Sequence, residues 1–227
     1  MSTETSTDLL SYLKTVDTPT LSNAIEELNI RPRHEGFAPA QIRCLFPEFG
    51  RMCGYAVTAQ VETVSRMTPV DRSVFLDLFN AVDASLKPAV VVMQEIGAAH
   101  EFATHCGEVM ATIFTRLGAI GVVSDSGVRD LPEVRAIGMH YFARGAVASH
   151  AHFHIVRVSV PVQVDGFVVN PGDLLHGDEN GLISIPRVEL AAIAHAVETV
   201  RNREKKLMDF VRGADFTIES LRQRFLE

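Results

Sequence analysis

The chain has 227 residues, a net charge of −7, 47% hydrophobic and 22% charged residues. That balance belongs to a folded protein with a substantial core and is too apolar for a disordered one. Its acidic character offers no field that would draw nucleic acid or an anionic membrane. The longest apolar run, Ala89 to Met93, is far short of the roughly 20 residues that cross a bilayer. The polar start, Met1 to Asp8, lacks the basic and apolar regions of a secretion signal. A cytoplasmic protein of one domain, residues 1–227, is therefore expected.

Cys44, Cys53 and Cys106 form no even framework and no C-x-x-C pair, so they read as small buried hydrophobes rather than a disulfide or zinc scaffold. Cys106 has a second reading as a nucleophile, because it lies one residue before a helix start.

In chain order, residues 8–16 and 20–28 read as short helices, with Thr18 as a cap and Pro19 in the first turn. Residues 30–51 are irregular. Residues 54–64 alternate as a strand, and residues 71–86 carry Val74, Phe75, Leu78, Phe79, Val82 and Leu86 at helical spacing. A buried strand, 89–93, runs into the polar loop 94–97, and a further loop reaches Cys106. Residues 107–117 form a helix stopped by Gly118; residues 120–124 form another buried strand; Asp125 to Asp130 turn into a helix at 131–137; residues 141–143 return as strand. This alternation predicts an α/β fold. Strands at 153–164, 167–170 and 182–185, joined by turns at Asp165-Gly166, Pro171-Gly172-Asp173 and Asp178 to Gly181, predict a C-terminal meander, with His176-Gly177-Asp178 read as turn residues. Long and short helices at 187–211 and 217–225 close the chain.

Gly107-Glu108-Val109-Met110 is followed, 20 residues after Glu108, by Arg129-Asp130. In an α/β fold both segments begin past the carboxyl ends of buried strands, where such folds place ligands. The unpaired amides of the 107 helix suit a carboxylate or phosphate, and Gly107 permits close approach. Arg129 offers a planar fork for the same anion, and Asp130 a hard oxygen ligand for Mg²⁺ or Mn²⁺. Arg129-Asp130 equally reads as a turn with an ion pair, Glu108 as an acid favoured by the helix dipole, and Asp125 as a turn or capping residue. His150, His152 and His154 alternate and would share one face of a strand, for metal or proton chemistry or for solvent.

The Gly107–Met110 segment, its spacing to Arg129-Asp130, and the run Pro171 to Gly181 together resemble the RraA-like family over roughly residues 17–190. That family holds 4-hydroxy-4-methyl-2-oxoglutarate aldolases, oxaloacetate decarboxylases and regulators of ribonuclease E activity. The resemblance implies a three-layer ββα swivelling-domain-like fold with peripheral N- and C-terminal helices, the latter an extension over 187–227, assembled as a homotrimer or a hexamer. It also implies a site in which the backbone of Gly107, Glu108, Val109 and Met110 holds a 2-oxo acid carboxylate. Arg129 would hold the pyruvyl oxygens and Asp130 would ligate Mg²⁺ or Mn²⁺. Glu108 stands where aldolase members often have Asp and would orient a water for proton transfer. Ser126 replaces a frequent glycine, and Gly127 is expected to keep the turn. The implied activity is metal-dependent cleavage of a 4-hydroxy-2-oxo acid to pyruvate, with oxaloacetate decarboxylation through a shared enolate. No lysine is placed by a motif as a Schiff-base nucleophile. The alternative is a non-catalytic regulator that docks on a ribonuclease or another protein.

Overall fold

The computed structural model describes residues 9–63, 73–98, 100–186 and 190–226. The chain divides into two compact units, the described residues of Met1–Thr18 with Arg33–Arg187, and those of Pro19–Pro32 with Val188–Glu227.

The larger unit is built on long strand β2, Met52–Thr63, which pairs in parallel with β3, Ala89–Glu95. Strand β5, Ala119–Ser124, and strand β7, His140–Ala143, continue the parallel set. The short β1, Arg43–Cys44, borders β7 antiparallel. On its other edge β2 pairs antiparallel with β12, Leu174–Asp178, through its first half and with β9, Phe153–Val158, through its second. Strand β13, Gly181–Ile185, completes the sheet beside β12.

The apolar run of β3 is buried on both faces because each face is covered, as central parallel strands require. Val57, Ala59, Val61, Val91 and Met93 point to one layer, where they meet helices α3 (Ser73–Ala84) through Leu78 and Val82, α4 (Glu108–Arg116) through Ala111 and Phe114, and α5 (Leu131–Ile137) through Val134. Ala56, Val90 and Val92 point to the other. There they meet Val162 and Val164 of β10, Val162–Val164, and Phe167 and Val169 of β11, Phe167–Val169. Hairpin, sheet and helices thus make the three ββα layers. The α/β fold expected from the sequence is the one observed, and Gly118 ends α4 at φ +85° as a left-handed stop.

Four expectations are corrected. The strand read over 153–164 is two strands: Ser159 sits at φ +56° and breaks it. Its first half joins β2 in the large sheet, and its second half makes a separate antiparallel hairpin through Asp165-Gly166. The C-terminal strands therefore do not form a simple meander. His176-Gly177-Asp178 are strand, not turn: His176 is buried between the Thr18 hydroxyl (3.0 Å from Nδ1) and the Leu13 carbonyl (3.1 Å from Nε2). Asp178 accepts the Thr18 N–H at 2.8 Å. A small parallel sheet, β4 (Thr104–Cys106), β6 (Gly127–Val128) and β8 (Gly145–Ala146), runs through residues read as loop and turn. Gly127 is needed there for proximity, since a Cβ would lie 2.5 Å from Val147 Cγ2.

The first described helix, α1, covers residues 9–13; residue 8 of the expected helix, residue 64 of the expected strand and residues 71–72 and 187–189 of the expected helices lie outside the described residues. In the smaller unit, helix α2 (Thr18–Glu27, continuing from the larger unit) is tied to helix α6 (Leu190–Arg212) by the Arg203–Glu27 ion pair and an Asn23–Glu204 hydrogen bond. Helix α7, Ile218–Leu226, returns Arg224 over the Phe210 ring at 4.9 Å. Among the described residues no helix is long and apolar enough to cross a membrane.

Candidate active site

The structure brings together the two segments singled out in the sequence. Gly107 caps α4 in extended backbone, directly after β4. Asp130 caps α5 at φ +57°, ψ +44°, a left-handed conformation that Asp tolerates better than most residues. The two caps meet: Asp130 Oδ2 accepts the Glu108 N–H at 2.9 Å and lies 3.5 Å from Arg129 Nε. The Arg129 N–H in turn donates to the Cys106 carbonyl at 3.0 Å. A Cβ on Gly107 would stand 3.0 Å from both Cγ and Nε of Arg129, so glycine is what allows the arginine to lie across the helix start.

A cavity of about 90 Å³ opens at this junction, lined by Gly107, Val109, Met110, Arg129 and Asp130 together with His105, His150 and Phe153. Glu108 is exposed and its side chain does not line the cavity. Its backbone N–H is already given to Asp130, whereas first-turn amides such as those of Val109 and Met110 have no acceptor within a helix and remain available to an anion.

The three histidines do not share a face, because β9 begins only at Phe153. His150 lines the cavity, His152 is exposed, and His154 Nε2 lies 3.5 Å from the Glu62 carboxylate on β2. Cys106 is buried and its thiol is pushed up to about 12 by burial, which removes the nucleophilic reading. Asp125 is buried and accepts the Glu95 N–H at 2.7 Å. Burial, with the nearby Asp165 and Glu95 charges, pushes its carboxyl up to about 7 against that hydrogen bond and His100.

Beneath the cavity lies a chain of buried groups that no sequence motif revealed. Glu95, at the end of β3, accepts from His105 Nε2 (3.1 Å), the Thr63 hydroxyl (2.6 Å) and the backbone N–H groups of Thr63 and Gly97. Burial alone would raise this carboxyl; the four donors outweigh it and hold it at about 2. Because Glu95 is an acceptor only, His105 carries its proton on Nε2, and its Nδ1 accepts from the Ser124 hydroxyl at 2.9 Å. Ser124 Oγ also accepts the Ser126 N–H at 3.0 Å. The order Ser–His–Glu matches that of a nucleophilic triad, yet Ser124 is wholly buried. Its role is to tie the ends of β3, β4 and β5, and so to fix the two segments of the site relative to each other.

Among the described residues no group of three or more His, Cys, Asp and Glu is arranged to enclose a metal by itself. That excludes a closed zinc-type site from these side chains. A single half-exposed carboxylate at a cavity fits Mg²⁺ or Mn²⁺ instead, since Mg²⁺ keeps several waters and uses one or two protein carboxylates plus ligand oxygens. Asp130 is suited to that role: both of its contacts fall on Oδ2, and neither uses Oδ1.

Comparison with known proteins places the chain in a family. The family model RraA-like (Aldolase/RraA) matches residues 18–184. A protein of Methanocaldococcus jannaschii without assigned function is 30% identical over 100 residues, 43% of this chain and 48% of its own. A protein of Halalkalibacterium halodurans, whose name proposes a 4-hydroxy-4-methyl-2-oxoglutarate aldolase, is 32% identical over 82 residues, 36% of this chain and 39% of its own. Protein DlpA of Legionella pneumophila is 23% identical over 66% of this chain but only 24% of its own length. The chain thus spans about a quarter to a half of these relatives. Among solved structures, an uncharacterised protein of Pseudomonas syringae is similar with TM-score 0.71 and 26% identity, covering 96% of this chain and 94% of that one. Streptomyces coelicolor RraAS2, described as an unusual member of the RNase ES inhibitor RraA family, is similar in fold with TM-score 0.66 and 23% identity, covering 88% and 94%. The chain belongs to the RraA-like family, whose members include both aldolases and ribonuclease inhibitors.

Proposed function

We propose that the chain is a divalent-metal-dependent carbon–carbon lyase that cleaves a 4-hydroxy-2-oxo acid to pyruvate and decarboxylates oxaloacetate at the same site. The observation that carries this reading is the convergence, on one cavity, of the Arg129 guanidinium, the Asp130 carboxylate and the amide-rich start of α4. The free amides of the α4 start hold the carboxylate of the 2-oxo acid. Arg129 faces the oxygen at C2, where charge develops as the C3–C4 bond breaks, and stabilises the enolate. Asp130 would hold Mg²⁺ or Mn²⁺, which when bound supplies Lewis acidity toward the same oxygens. Glu108, exposed beside the cavity, reaches substrate only through water. Both reactions pass through the pyruvate enolate, so one set of groups serves both.

A single assay tests the proposal: pyruvate release from 4-hydroxy-4-methyl-2-oxoglutarate and from oxaloacetate, followed by coupled reduction, with Mg²⁺ or Mn²⁺ and then with excess chelator. Metal-dependent turnover is expected. Turnover that survives exhaustive chelation contradicts the metal role, and failure of both substrates contradicts the reading as a pyruvate lyase. The cytoplasmic location expected from the sequence's composition, and the homotrimeric or hexameric assembly implied by the resemblance, belong to the same proposal; sedimentation of the purified chain tests the assembly.

A further inference from the structure

Resting on the functional reading above, we infer that His150 is the base that takes the proton from the 4-hydroxyl group during carbon–carbon cleavage. Retro-aldol cleavage needs such a base, and Glu108 does not line the cavity whereas His150 does. His150 is also held by its own neighbours. Ala151, at φ +47°, turns the chain so that its carbonyl accepts from His150 Nδ1 at 2.5 Å, while the Ala151 N–H donates to Ser149 Oγ at 3.2 Å. A carbonyl only accepts, so Nδ1 carries the proton and the lone pair of the neutral imidazole is on Nε2. In that tautomer Nε2 is the ring's acceptor, and the exposed ring lines the cavity that holds Arg129 and Asp130. The other histidine described as lining the cavity is unsuited: His105 Nε2 is committed to Glu95 and its Nδ1 to Ser124.

The step balances without a further reactant. The 4-hydroxyl proton moves to His150 Nε2, and the O–H electron pair becomes the new C4=O π bond. The C3–C4 pair moves into C2=C3, and the C2 carbonyl pair onto oxygen, giving the enolate beside Arg129. The proton on His150 then returns to C3 or leaves to solvent.

Oxaloacetate decarboxylation has no hydroxyl proton to remove, and this separates His150's chemistry from the binding machinery. His150→Asn retains a donor for the Ala151 carbonyl, in the position of Nδ1, and deletes Nε2. We expect it to lower kcat for aldol cleavage by about 10²-fold or more, the scale of a lost general base. Oxaloacetate decarboxylation by the same sample should fall far less, by no more than about threefold, an effect of under 1 kcal/mol. Equal losses in both reactions, or aldol cleavage as fast as in the unsubstituted chain, would overturn the assignment of His150 alone. Absence of both activities from the unsubstituted chain overturns the functional reading and this inference with it.

Discussion

Gly107 and Asp130 approach so closely that no side chain fits between them: a Cβ on Gly107 would lie 2.5 Å from Asp130 Oδ2. Two helix caps separated by more than twenty residues are thereby locked together, with the Glu108 N–H bonded to the same oxygen. Gly107→Ala must push Asp130 aside. Displacements of this size cost about 10²-fold in turnover when the displaced group holds the reacting atoms. The variant should keep its circular dichroism spectrum and lose activity on both substrates together; full activity would show that the contact is dispensable.

Asp130→Asn separates charge from shape. Asn tolerates the left-handed backbone at φ +57° and still offers an oxygen to the Glu108 N–H. Stability should change by less than about 1 kcal/mol. Metal-dependent turnover should fall by more than about 10²-fold if, as proposed, Asp130 supplies the carboxylate that holds the Lewis acid. Isothermal titration with Mn²⁺ before and after substitution checks the cause directly: binding should weaken in step with turnover.

The Glu95–His105–Ser124 chain predicts a stability effect. His105→Leu removes a donor from a buried carboxylate and an acceptor from a buried hydroxyl. The cost should be about 2–4 kcal/mol, chiefly the desolvation of groups left without a partner. Urea unfolding measures it; a loss below 1 kcal/mol would mean that the other donors to Glu95 suffice.

Stability should depend on pH in two opposed ways. His140 and His176 are held down to about 4 by burial, below the ordinary value near 6.5 of an unfolded chain. The unfolded state binds more protons in that window, so their contribution is present above pH 6.5 and is lost as pH falls toward 4, on the order of a few kcal/mol in total. Asp125 acts in the other direction. Its carboxyl is raised to about 7, so its contribution is complete below the unfolded value near 3.9 and is lost as pH rises through 7. Asp125→Asn keeps an acceptor for the Glu95 N–H and should raise the melting temperature more at pH 8 than at pH 5. A melting temperature lowered at pH 8 would show that the charged form is the stabilising one.

Much of this fold is legible in the sequence itself. The helix at 131–137 matches α5, and the apolar run at 89–93 lies within β3, because periodicity and burial speak with one voice in these segments. The Gly107–Met110 and Arg129-Asp130 segments were placed together by the rule that ligands sit past strand ends. What escaped notice is non-local. Strand β4 is three residues long and is made a strand only by its pairing with β6. His176 looks like a turn residue until Leu13 and Thr18, more than 150 residues away, supply its partners. Glu95 and Ser124 are ordinary strand-end residues in sequence, and only the fold joins them through His105. The alternating histidines misled for the opposite reason: their spacing suits a strand that starts too late to contain His150 and His152.

The central claim is that this cavity stabilises a pyruvate enolate, and exchange of the pyruvate methyl protons in D₂O reports that species without any assumption about the natural substrate. With Mg²⁺ or Mn²⁺, the chain should exchange these protons well above the buffer rate, as followed by proton NMR, and excess chelator or Asp130→Asn should abolish the exchange. Exchange at the buffer rate with metal and saturating pyruvate, or exchange that chelation leaves untouched, would contradict the account.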